Sequence, residues 1–210
     1  MNNIYPVFSL ALLLFLYPAQ QSDVNEKWDE IYTIISQIKE PVFPDKTFKI
    51  TDFGAVADGK TLNTEAINKA ITTCSEQGGG TVLVPKGEFL TGAVHLKSNV
   101  NLHVEEGAIL KFSTEPKDYL PLVQTRWEGN DCYNYSPLIY ANGQNNIAIT
   151  GKGTIDGQAN QETWWPWKGF RRGSNGERAP SQLDPEGRPL LTKWDNEQTP
   201  LKDRQMGEGH

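Results

Sequence analysis

A stretch rich in tryptophan and arginine contains the side chains best suited to bind a ligand. It runs from Trp164 to Arg178 and has four basic residues against one acid, Glu177. Guanidinium groups can hold carboxylates with two hydrogen bonds, and indole rings offer flat apolar platforms to sugar rings. The candidate binding residues are Trp164, Trp165, Lys168, Arg171 and Arg172. In the alternative interpretation the tryptophans pack the loop against the fold and the arginines lie in solvent.

Residues that could catalyse a reaction are few. The histidines are His95, His103 and His210, and the first two lie in strand-like stretches where a packed or surface histidine is the favoured interpretation. Asp156 precedes Gly157, and an aspartate in such a turn is common without any catalytic role. No cysteine and histidine cluster has the spacing of metal ligands. The sequence therefore predicts no catalytic residue, metal or cofactor within the chain.

A strand, a turn and a helix follow one another between residues 48 and 74. Phe48–Asp52 alternates apolar and polar residues like a strand, and Gly54 and Asp58-Gly59 predict the turn after it. A helix is expected to begin at Asn63 or Thr64, either of which can cap it, and to end near Cys74. Its apolar stripe consists of Ala66, Ile67, Ala70 and Ile71.

Short β-branched runs separated by Gly, Asn or Pro occupy the next eighty residues. Two of them look like copies, because Asn99 and Asn146 are 47 residues apart and Gly107 and Gly153 are 46 apart. This spacing favours stacked coils of a parallel β-helix, with asparagines at left-handed corners. The inward residues that would stack into one core are Val100, Leu102, Ile147 and Ile149. An antiparallel sandwich is the alternative.

The N-terminus is typical of an exported protein. Val7–Tyr17 is apolar but too short to span a bilayer, and Pro18-Ala19 follows it, as in a secretory signal peptide. The segment before the apolar run lacks Lys and Arg, which fits the pattern less well. A membrane anchor or a buried helix are the alternatives.

An amphipathic helix is predicted over Asp23–Glu40, with Pro41 ending it. We expect it to pack on the body that follows, and a partner-binding role is the alternative. Cys74 and Cys132 allow one disulfide or two free thiols. The net charge of −6 gives no footprint for nucleic acid.

The motifs resemble a known family. FGAxxDGxxxNTxAIxxAI, GGGTVLVPKGxFLTGxxxLKSNVxLHxxxGAIL and GxGTIDGxxxxWW follow in order between Phe48 and Trp165, as in bacterial polygalacturonases of glycoside hydrolase family 28. The resemblance implies a right-handed parallel β-helix whose first end is covered by the short helix. It also implies hydrolysis of α-1,4-galacturonosyl linkages in pectin with inversion, by a carboxylic acid and a carboxylate about 6.5 to 9.5 Å apart.

The chain departs from this family at the catalytic elements. An Asn-Thr-Asp element, an Asp-Asp pair, an internal Gly-His-Gly and an Arg-x-Lys do not occur in it. The family carries these elements downstream of the matched region, so the chain is interpreted as the N-terminal part of a longer enzyme and is expected to be inactive alone. A calcium-dependent pectate-lyase-like enzyme and a noncatalytic polysaccharide-binding or structural β-helix are the alternatives.

The predicted organisation has three parts. Residues 1–22 form a signal peptide, 23–45 the amphipathic helix and its proline linker, and 46–210 the first part of the β-helix, in which 157–210 is a long loop or truncated end. The expected partner is a pectic polysaccharide, either polygalacturonate or rhamnogalacturonan, bound outside the cytoplasm. Neither nucleic acid binding nor stable membrane insertion is expected, and the full-length protein is expected to be a monomer.

Overall fold

The computed structural model describes residues 22–162, 165, 176 and 181–207. The chain divides into two compact units, Met1–Glu40 and Pro41–His210. Helix α1, Ser22–Gln37, lies in the first unit, so the predicted helix is present and ends four residues before Pro41. The predicted signal peptide falls outside the described residues except at Ser22, and the packing of α1 stays a prediction. Within the described residues, no helix combines the length and apolar character that a membrane crossing requires.

The second unit consists of twelve described strands, two α-helices and short 3₁₀ turns. The strands are β1 (Thr47–Lys49), β2 (Asp58–Leu62), β3 (Gly80–Val84), β4 (Gly87–Thr91), β5 (Val94–His95), β6 (Val100–Val104), β7 (Ala108–Phe112), β8 (Val123–Trp127), β9 (Asn130–Asn134), β10 (Ile139–Tyr140), β11 (Ala148–Gly151) and β12 (Thr154–Asp156). The helices are α2 (Thr64–Glu76) and α3 (Arg188–Asn196), and the 3₁₀ turns are Ile50–Phe53, Pro116–Tyr119 and Leu201–Asp203.

Three parallel sheets form the sides of a right-handed parallel β-helix. Sheet A has the order β1-β3-β6-β11, sheet B the order β12-β7-β4-β2, and sheet C pairs β10 with β5. The chain passes from A to B to C in the coils β3-β4-β5 and β6-β7-β10, whereas α2 follows β2 in the first coil, and strands of successive coils pair in parallel. This confirms the predicted fold and excludes the antiparallel sandwich.

The core lies between the sheets and repeats from coil to coil. Val82 is in register with Leu102 and Phe89 with Leu110, and all four side chains are completely buried. Burial of each such side chain contributes about 1.5–3 kcal/mol. Burial alternates strictly along β3, β6 and β7, whose outward positions carry polar residues or partly exposed apolar ones.

The asparagine corners form as predicted. Asn99 has a φ of 64° and Asn146 a φ of 54°, both in the left-handed region. The Asn146 amide donates to Asn99 Oδ1 at 3.1 Å and to the Val42 carbonyl at 2.8 Å. The corner therefore links two successive coils and also holds the segment that leads into β1.

The first coil differs from expectation in its strands. Strand β1 stops at Lys49, and the predicted remainder of Phe48–Asp52 forms a 3₁₀ turn that buries Ile50 completely. The turn closes through hydrogen bonds from Gly54 N to Thr51 O and from Ala55 N to Ile50 O. The predicted turn at Asp58-Gly59 is instead the start of β2, which pairs with β4 through an irregular register.

Helix α2 begins where predicted but is not capped as predicted. The Asn63 side chain makes no bond to the helix. Its Oδ1 accepts from Val56 N at 2.7 Å, while Nδ2 donates to the carbonyls of Val56, Thr61 and Leu90. The Thr64 hydroxyl accepts from Gly92 N at 2.6 Å. Both side chains therefore fasten the helix start to neighbouring parts of the fold and leave the first helical N–H groups without a side-chain cap.

Candidate functional site

The predicted binding loop is described at one of its candidate residues. Trp165 is 46% exposed, and its backbone N–H donates to the Asn160 carbonyl at 3.0 Å. Trp164, Lys168, Arg171 and Arg172 lie outside the described residues. The prediction that this loop binds substrate stays a prediction.

A second lobe stands beside the β-helix, and no local sequence pattern indicated it. Strands β8 and β9 form an antiparallel hairpin inserted between β7 and β10 of one coil. The buried side chains of Cys132, Leu191 and Met206 form a small core that joins this hairpin to α3, with Trp127 and Trp194 packed against it. Part of the predicted loop 157–210 is therefore ordered by a hydrophobic contact with residues more than fifty positions earlier.

An open groove of about 330 Å³ runs between the hairpin and sheet C. The hairpin contributes residues 124–126 and 131 to its lining, and the segment around β10 contributes residues 137 and 139–142. This volume lies at the lower end of the range for small-molecule sites. The lining combines one guanidinium, one carboxylate, one phenol, two side-chain amides and one hydroxyl with three apolar side chains, which is a set suited to a polar ligand with apolar faces.

Arg126 and Asp131 form the charged part of the groove. They are directly opposite each other on β8 and β9, with Arg126 Nε 2.8 Å from Asp131 Oδ1 and Nη2 3.2 Å from Oδ2. The hydrogen bond from Arg126 holds the pKa of the Asp131 carboxyl below its ordinary value, so the pair is ionised near neutral pH.

Tyr140 is the aromatic residue of the groove lining, and it packs against His95 on the other strand of sheet C. Tyr140 donates its hydroxyl proton to the Gln124 carbonyl at 2.7 Å, and its ring centroid lies 5.3 Å from that of His95. His95 Nε2 is 3.2 Å from the buried Ser136 hydroxyl. Burial lowers the pKa of His95, and the charge of Lys97 lowers it further, so the imidazole is neutral at pH 7.

The histidine and cysteine candidates outside the groove make contacts that support the fold. His103 Nδ1 is 2.8 Å from the Thr150 hydroxyl of the next coil. Cys74 and Cys132 are buried free thiols in separate hydrophobic clusters, which answers the question of a disulfide between them. Among the residues that the structure describes, no group of three His, Cys, Asp or Glu side chains could hold a metal ion.

Comparisons with known proteins identify the family. Residues 47–114 match the family model described as rhamnogalacturonase A/epimerase, pectate lyase-like. The crystal structure of a hyperthermoactive exopolygalacturonase from Thermotoga maritima is 44% identical, with a TM-score of 0.79 over 88% of this chain and 40% of that chain. This chain belongs to the polygalacturonase family.

Two sequence relatives agree with this membership. A probable polygalacturonase from Vitis vinifera is 35% identical over 55% of this chain and 25% of its own length. An exo-poly-α-D-galacturonosidase from Dickeya chrysanthemi is 39% identical over 53% of this chain and 19% of its own. The chain thus spans about a fifth to two fifths of the polygalacturonase-family proteins that it matches.

Proposed function

We propose that this chain is the N-terminal part of a glycoside hydrolase that cleaves α-1,4-galacturonosyl linkages in pectin. The observation that carries the proposal is the 44% identity to the Thermotoga maritima exopolygalacturonase over 88% of the chain. This similarity extends over most of the chain in both sequence and fold.

In this proposal the reaction inverts the sugar configuration. One protonated carboxyl group donates to the glycosidic oxygen, and a carboxylate about 6.5 to 9.5 Å away activates the water that attacks from the opposite face. The Asn-Thr-Asp and Asp-Asp elements expected to supply these groups do not occur in the 210 residues. We therefore assign the catalytic aspartates to a further part of the protein and assign binding and folding roles to this part.

A reducing-sugar assay on polygalacturonate tests the proposal. We expect turnover by a polypeptide that continues into the catalytic elements and none by the 210-residue chain. Turnover by the short chain that disappears when one of its own aspartates, such as Asp156, is changed to Asn would contradict the assignment. A product that absorbs in the ultraviolet and is lost on chelation would identify a lyase, and binding without turnover would identify a noncatalytic β-helix.

The substrate and location complete the proposal. Polygalacturonate and rhamnogalacturonan are both pectic polymers, and parallel assays on each separate them. Such polymers lie outside the cytoplasm, and the apolar segment Val7–Tyr17 followed by Pro18-Ala19 supports export. Mass spectrometry of the exported protein is expected to find a new N-terminus near Ala19. We propose a monomer at full length, which light scattering tests.

A further inference from the structure

We propose that the groove between the β8–β9 hairpin and β10 binds one uronate unit of the polymer, with Arg126 holding its carboxylate and Tyr140 forming the wall beside its ring. The inference rests on the proposed function for the class of sugar. The position of the site rests on the geometry of the groove, which differs from the tryptophan and arginine loop suggested by the sequence.

Arg126 has hydrogen-bond donors to spare. A guanidinium carries five N–H groups, and the pair with Asp131 engages Nε and one N–H of Nη2. Within the described part of the chain, no further acceptor is recorded for its Nη1 group. The side chain is 67% exposed, so a ligand in the groove can reach it. A carboxylate can therefore bind side by side to the N–H groups of Nη1 and Nη2.

Asp131 acts here as a positioning residue. Its carboxylate fixes the guanidinium plane through two contacts from the strand directly opposite. The charge of Arg204 also helps to keep Asp131 ionised, and the Arg204 side chain is only 13% exposed and lies 3.9 Å from Asp195. Because the orientation of Arg126 is set before a ligand arrives, less conformational entropy is lost on binding.

The hairpin that carries Arg126 is held in place by the second lobe. Tyr133 N donates to the Arg204 carbonyl and Met206 N donates to the Tyr133 carbonyl, both at 2.8 Å. Cys132, between Asp131 and Tyr133, is completely buried against Leu191 and Met206. Binding groups on elements fixed in this way keep their geometry. This gives the lobe a role in binding, since it supports the charged wall of the groove.

Tyr140 provides a fixed surface on the other side. Its hydroxyl is bonded to the Gln124 carbonyl of the hairpin, and its ring contacts His95 on the adjacent strand of sheet C. The hydrogen bond of the hydroxyl and the contact with His95 therefore fix the orientation of the ring, which lines the groove. An aromatic ring held in this way offers its apolar surface to a sugar ring at little entropic cost.

Titration calorimetry of the 210-residue chain with trigalacturonate tests the site. We expect Arg126→Ala to weaken binding about tenfold to a hundredfold, because a charge-assisted hydrogen-bonded pair is removed. Arg126→Lys is expected to restore only part of the affinity, since a lysine cannot hold a carboxylate side by side. Methyl-esterified trigalacturonate is expected to bind the unchanged chain as weakly as trigalacturonate binds Arg126→Ala.

Lys152→Ala is the control for the loss of one positive charge. Lys152 is exposed in the turn between β11 and β12, outside both the groove lining and the second lobe. It is expected to leave affinity unchanged, and circular dichroism of all variants checks that they are folded. Unchanged affinity in Arg126→Ala, equal loss in Lys152→Ala, or no binding of trigalacturonate by the unchanged chain would each overturn the assignment. Hydrolysis of polygalacturonate by the longer polypeptide is measured separately, so the proposed hydrolase function is tested independently of the binding site in the groove.

Discussion

The two ends of the described coil stack differ in how far their apolar side chains are buried. At the first end α2 lies against β1, β3 and β5, and its Ile67, Ala70, Ile71 and Cys74 are completely buried. On the last described coil Ile149 pairs with the buried Leu102 and Ile155 with the buried Leu110, yet these isoleucines are 44% and 42% exposed. An inward position is therefore not enough for burial. A residue in a coil stack needs neighbours on both sides along the stack.

The largest test of this comparison replaces one isoleucine at each end. Ile71→Ala is expected to lower the free energy of unfolding by about 2–5 kcal/mol, because it removes buried methyl groups and leaves a cavity. Ile149→Ala is expected to cost less than about 1 kcal/mol, since much of its side chain already meets water. Urea unfolding of the 210-residue chain measures both. Equal losses would show that helix α2 does not shield the first end as described.

The next test concerns the row of corners formed by Gly79, Asn99 and Asn146 in successive coils. A Cβ added at Gly79, where φ is 98°, would lie 2.5 Å from the Asn99 carbonyl oxygen, so backbone would have to move. Gly79→Ala is expected to cost about 2–4 kcal/mol from strain and overpacking together. Asn146→Ala, at the far corner, loses exposed hydrogen bonds and is expected to cost about 1 kcal/mol.

Asn146→Gly separates the loss of hydrogen bonds from the backbone strain in Asn146→Ala. Glycine accepts the left-handed backbone without strain, so it is expected to recover part of the loss in Asn146→Ala. Thermal unfolding of the three variants provides the ranking. A Gly79→Ala variant as stable as the unchanged chain would contradict the close approach at the first corner.

A smaller loss is expected from the amide that fastens the first end. Asn63 is 2% exposed, and Asn63→Ala leaves the Val56 N–H and three carbonyls without this partner, at a cost of about 1–3 kcal/mol. Asn63→Asp is expected to cost more, since its carboxylate would face the same carbonyl oxygens. Asn142→Ala, on an exposed segment after β10, is the control and is expected to change stability little. Urea midpoints compare them, and a harmless Asn63→Ala would exclude the amide as a clamp.

The sequence predicts the parts of this molecule that depend on local patterns. Alternating β-branched residues, the stripe of α2 and the repeated asparagines each follow from spacing along a few residues, and the structure confirms all three. The 3₁₀ turn at Ile50 and the bonding of Asn63 depend on contacts with other coils, as the bond to the Leu90 carbonyl shows. Local spacing carries no information on such contacts.

The groove could not be predicted from the sequence, because it too depends on contacts between residues that are not neighbours in a local pattern. Arg126 and Asp131 meet because of the hairpin register, and Tyr140 meets Gln124 because the hairpin folds back against the sheet C strand of its own coil. The hairpin in turn depends on Leu191, which is distant in sequence.

The smallest expected effect is a pH dependence in the first coil. Hydrogen bonds from the N–H groups of Thr61 and Lys60 hold the pKa of the Asp58 carboxyl at about 2, below its ordinary value of 3.8. Because the folded pKa is the lower one, this stabilisation is present above pH 3.8 and is lost as the pH falls through about 2. Asp58→Asn should therefore lower the melting temperature slightly near neutral pH, and the gap to the unchanged chain should close as the pH falls from 4 towards 2. A gap that stays constant over this range would mean that the charge of Asp58 does not stabilise the start of β2.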